Sequence, residues 1–142
     1  MGTITISVDF LKSLFNIVLC GKPVIDVDVE GVSFEDKQSE EFAEIIAIKL
    51  LTGGSVIVWD LNAKAESFEE RLNGKAVDFR KENGSIAYKI TIEHFKQQLI
   101  TYEGSRAYLF FYDGGKVTDV HAEYYAYELL QIVVFNEKVY CQ

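Results

Sequence analysis

Proline is almost absent from this 142-residue chain, with a single residue, and cysteine and histidine occur only twice each. So little proline, with only ten glycines, excludes proline-rich linkers and low-complexity tracts. The cysteines, Cys20 and Cys141, lie near opposite ends in no CxxC or Cys/His spacing, so a zinc site is not expected. Cys20 falls in the apolar run LFNIVLC, which predicts a buried free thiol, with a Cys20–Cys141 staple as the lesser alternative.

No apolar run is long enough to span a bilayer. LFNIVLC has no basic region before it, and Asp9 and Lys12 interrupt its approach, so a signal peptide is not expected. Leu19 is wrong for lipoprotein processing, and Ile6 stands where a myristoylation signal needs Ser or Thr. Positive charge is also short: 14 Lys and Arg stand against 22 Asp and Glu, a net charge of −8. That field repels phosphate backbones and anionic lipid and favours a basic partner.

What remains is the composition of a folded globular protein, 49% hydrophobic and 25% charged, in a chain of single-domain length. Ser7 reads as an N-cap before a helix with apolar positions Phe10, Leu11, Leu14, Phe15, Ile17 and Val18, stopped by Gly21 and Pro23. VIDVDVE (24–30) alternates with period two and predicts a strand. EDKQSEEFAEIIAIKLL (35–51) predicts a helix with Phe42, Ile45, Ile46 and Leu50 inside, closed by Gly53-Gly54. SVIVWDL reads as a buried strand, ESFEERLNG as a short helix, and the stretch from Lys75 to Thr91 as a hairpin about Asn83-Gly84. Thr91 then caps a helix with Phe95 and Leu99 on one face, and RAYLFFY is a further strand. The tail predicts a helix over 122–130 and a hairpin about Asn136-Glu137, with one long strand as the alternative.

ITISVDFLKSL near the start resembles KITIEHFKQQL from Lys89 with one residue inserted. Each is strand, cap, helix, followed by a glycine, another strand and an acid–glycine turn. A duplicated β-α-β-α-β unit, 1–60 and 86–142 joined by the polar segment 62–84, is one reading; chance similarity between degenerate classes is the other. The expected fold is one α+β domain over residues 1–142, with a mixed or mainly antiparallel sheet and about four helices.

Three features could carry chemistry. Asp26, Asp28 and Glu30 alternate with Ile25, Val27 and Val29 and so share one strand face. A solvated face that discourages edge pairing accounts for them most simply. A partner-binding acidic strip is the next reading. A metal or catalytic role would need further ligands that only Asp60, Asp113 or Asp119 could supply. His94 reads as a surface histidine in a first helical turn, and His121 lies between Asp119 and Glu123. No serine or cysteine stands in a nucleophile setting, and TGGS (52–55) and DGGK (113–116) read as turns and caps. Finally, more than half of the aromatic residues follow Ile100. Tyr108, Tyr112, Tyr124, Tyr125 and Tyr127 form a candidate aromatic surface, because the three tyrosines of EYYAYE cannot share one face.

These observations favour a non-enzymatic, acidic, cytoplasmic protein-binding module of inhibitor, immunity or anti-defence type. It would act on a basic protein partner, self-association through the tyrosine segment being compatible, with neither nucleic acid nor membrane as ligand and with no metal or cofactor. A small-ligand site walled by the tyrosines, or an enzyme using an acid/His pair, are the alternatives.

Overall fold

The computed structural model describes residues 6–21, 25–60, 79–82, 85–101 and 122–135. Along the chain these form α1 (Val8–Cys20), β1 (Ile25–Asp28), α2 (Glu40–Leu51), β2 (Ser55–Asp60), β3 (Phe79–Glu82), β4 (Ser85–Thr91), α3 (Ile92–Thr101) and α4 (Ala122–Phe135). The four strands make one antiparallel sheet in the order β1-β2-β4-β3. This is the expected α+β class, with the sheet entirely antiparallel among the described residues.

Strand register sorts the sheet into two faces. Val27, Val58 and Tyr88 stand in one row and Val56 and Ile90 in the next, all buried in one core with the helices. The rows Asp26–Trp59–Ala87 and Asp28–Ile57–Lys89 occupy the other face. SVIVWDL is therefore buried on one side only: Val56 and Val58 are inside, while Ile57 and Trp59 are half-buried. The hairpin about Asn83-Gly84 is present as β3–β4, with Glu82 opposite Ser85.

The helices begin where their caps dictate. Ser7 Oγ accepts from the Phe10 N–H at 3.1 Å, and Phe10, Leu11, Leu14, Phe15, Val18 and Leu19 are buried along α1. α2 starts at Glu40, five residues later than its acidic approach suggests. The reason is local competition: Asp36 Oδ1 accepts from the Gln38 N–H, the Ser39 hydroxyl donates to the Asp36 carbonyl, and Ser39 Oγ caps the Phe42 N–H at 3.2 Å. The inner face of α2 is Phe42, Ala43, Ile46, Ala47 and Leu50, so Ile45 sits at its edge and not inside. Cys20 ends α1 with an exposed, free thiol, which corrects the expected burial; Cys141 lies outside the described residues. Its Sγ donates to the Gln38 carbonyl at 3.1 Å, tying the end of α1 to the turn that opens α2.

Thr91 does precede α3, and His94 completes the cap. The Thr91 N–H donates to His94 Nδ1 at 2.9 Å, the reciprocal half of a capping box with imidazole in place of the usual carboxylate or amide. His94 is half-buried, so the surface-histidine reading gives way to a structural one. Phe95 then packs edge-to-face on Phe15 of α1, with centroids 6.1 Å apart.

α4 departs most from expectation. It runs on through IVVF to Phe135, where β-branching predicts the first strand of a hairpin. Ile132, Val133 and Val134 are all buried, and burial on every side overrides intrinsic preference. The suggested helix at ESFEERLNG, the strand RAYLFFY, the turn at 136–137 and the second-half turn Asp113-Gly114 lie outside the described residues.

The C-terminus of α2 is closed by two reciprocal bonds: Gly54 N–H to the Lys49 carbonyl at 2.9 Å and Gly53 N–H to the Leu50 carbonyl at 3.2 Å. Gly53 holds φ +88°, and a Cβ on Gly54 would meet the Lys49 carbonyl oxygen at 2.9 Å. Gly53→Ala should therefore destabilise the protein by about 1 kcal/mol in urea unfolding. An unchanged midpoint would show that the cap contributes nothing.

Candidate functional site

The acidic strip is a clamp on the chain's own lysine. β1 projects Asp26 and Asp28 from the face opposite the core, and the turn before α2 returns Lys37 across them. Lys37 Nζ lies 3.2 and 3.3 Å from the Asp26 carboxylate oxygens and 2.6 Å from Asp28 Oδ1. Two further donors complete the carboxylates. Trp59 Nε1–H, on the same sheet face, donates to Asp28 Oδ2 at 2.6 Å. The Val27 N–H donates to Asp26 Oδ1 at 2.8 Å.

The ammonium also sits 5.9 Å from the centre of the Phe42 ring, which is stacked on Phe34 at 5.4 Å. Cation–π attraction adds to the charge-assisted hydrogen bonds from two carboxylates. Burial alone would lower the lysine's pKa; hydrogen bonds to Asp28 and Asp26, and their charges, more than offset it, so the net shift is upward from 10.5. Glu30 stands outside the clamp, exposed in the turn with Gly31 at φ +78°.

This arrangement does not suit a metal or a general base. Both carboxylates are occupied, and no group of three or more His, Cys, Asp or Glu side chains converges among the described residues. Glu128 on α4 has one buried oxygen, Oε2, without a hydrogen-bond partner, an isolated atom and not a constellation. His121 lies outside the described residues.

The tyrosines divide. Tyr127 is 3% exposed and belongs to the core, so it offers no surface; Tyr125 is half-buried and packs against that core. Tyr125 and Tyr127 thus lie on different sides of a helix that is itself largely buried. Tyr124 falls on the first turn of α4 but its side chain, like Tyr108 and Tyr112, is outside the described residues.

A larger feature emerges beside the clamp. Residues 26–44 carry eight carboxylates and one lysine, a net −7 of the chain's −8. Asp28, Glu30, Glu35, Asp36, Glu40, Glu41 and Glu44 are all exposed, and the sole cation among them is engaged by Asp26 and Asp28. Counting charge along the chain would have found this tract; period-two alternation drew attention to its first three acids only.

No family model matches the chain, nor does any curated protein or solved structure. No helix among the described residues is long and apolar enough to cross a membrane.

Lys37→Met would leave two like charges facing each other and should cost roughly 1 kcal/mol, a modest figure because both carboxylates are about half exposed to water. The raised pKa sets the sign of the pH dependence. The clamp's contribution is fully present below pH 10.5 and is lost as pH rises through the higher folded-state value. Wild type and Lys37→Met should therefore differ by a constant amount from pH 6 to 9 and converge above 10.5. A gap that narrows within the neutral range would contradict the assignment.

Proposed function

We propose that this chain is an acidic, non-enzymatic protein-binding domain whose β1–α2 face docks on a basic partner protein and occludes it, in the manner of an inhibitor. One observation carries the reading: nearly all of the net charge is concentrated on a single exposed tract of 19 residues, and its one lysine is already neutralised from within. A surface of that kind raises the association rate with a positive patch and repels nucleic acid. The free Cys20 thiol suits the reducing, cytoplasmic setting in which such a domain would act.

Glu30, Glu35 and Glu44 are the test positions. They lie outside the Lys37 clamp, the Asp36 turn and the first turn of α2, where Glu40 and Glu41 favour the helix N-terminus. Captured from native lysate at about 50 mM salt, a specific partner should be lost at about 0.5 M salt, where the screening length is only a few ångström. The Glu30→Gln, Glu35→Gln, Glu44→Gln triple variant should lose it at both concentrations. A partner retained by the triple variant at both salts would defeat the proposal.

A further inference from the structure

The acidic tract runs into an apolar one on the same helix. The inner face of α2 packs on α1 and β2, and its outer face carries exposed Glu41 and Glu44 toward the N-terminus. Toward the C-terminus come Ile45 and Leu51, both half-buried, and Ile48, which at 48% is the most exposed large apolar side chain described. Helical spacing gives Ile48 the neighbours Glu44, Ile45, Leu51 and Thr52 at i−4, i−3, i+3 and i+4. The exposure does not come from a frayed end: the Gly53-Gly54 cap closes the helix, and the Thr52 hydroxyl donates to the Ile48 carbonyl at 2.8 Å. Acid and then apolar surface thus share one rigid face about 16 Å long from Glu41 to Thr52.

We infer that this face binds an amphipathic helix of the basic partner, its apolar stripe on Ile45, Ile48 and Leu51 and its lysines or arginines on Glu41 and Glu44. The inference rests on the acidic-surface reading above and names the segment that surface receives. Charge complementarity selects this occupant over a second copy. Two α2 helices laid parallel would set Glu41 and Glu44 against their own kind, and laid antiparallel would set carboxylates against Ile48 and Leu51. A helix with a lysine end and a leucine stripe meets neither penalty.

The probe is a synthetic helix-forming peptide with lysines over its first turns and leucines at i, i+3 and i+6 after them. A control of the same composition has its leucines scattered. Binding is read by fluorescence anisotropy at low and moderate salt, and circular dichroism confirms that each variant is folded. The striped peptide should bind the wild type roughly tenfold more tightly than the scattered one, and Ile48→Ser should remove most of that difference while Ile48→Leu keeps it. Equal binding of both peptides, insensitive to Ile48→Ser, would overturn the apolar half of the site and leave the acidic reading standing. Failure of both peptides to bind at low salt would overturn the acidic reading itself. A wild-type dimer in sedimentation that Ile48→Ser disperses would assign the face to a second copy, against the inference.

Discussion

The Lys37 ammonium decides where this protein's negative charge is available. Two carboxylates on one strand face repel each other, and a single internal cation set between them converts repulsion into a tie between β1 and the turn that opens α2. The same turn receives the Cys20 thiol from α1 and supplies the Ser39 cap of α2, so three elements meet within four residues. Trp59 extends the tie to β2 through Asp28. With Asp26 and Asp28 engaged inside and Asp36 held in the turn, the exposed acids outside the tie are Glu30, Glu35, Glu40, Glu41 and Glu44.

Much of the fold could be read ahead of the structure because its signals are local. Ser7 and Gly21 bound α1 and Gly53-Gly54 ends α2, each through hydrogen bonds made within a few residues, and the predicted hairpin is met by the pairing of β3 with β4. Where long-range packing dominates, local patterning misleads. The valines of IVVF read as strand and lie in a helix, since enclosure on all sides leaves shape and burial to decide. The exposed Cys20 is the converse: an apolar neighbourhood in sequence does not guarantee one in space when the residue closes a helix.

The candidate site was half legible. Alternation placed Asp26 and Asp28 together correctly, and Val27 and Val29 on the buried face. Their partner, Lys37, could not be inferred, because the contact depends on how a loop of eleven residues folds back over β1. Tyr127 was misread as surface for the reason that misled at IVVF: the helix carrying it is buried on nearly every side, a property of tertiary packing and not of its own pattern. The surface proposed for docking accordingly shifts from the strand and tyrosines to the outer face of α2.

The most direct measurement of the central claim is nitrogen-detected NMR of the lysine side-chain ammonium groups at neutral pH. A Lys37 ammonium held by two carboxylates should give a signal protected from solvent exchange and shifted from the other lysines, and Asp28→Asn should return it toward them. A Lys37 signal indistinguishable from those of solvated lysines, and unmoved by Asp28→Asn, would contradict the account.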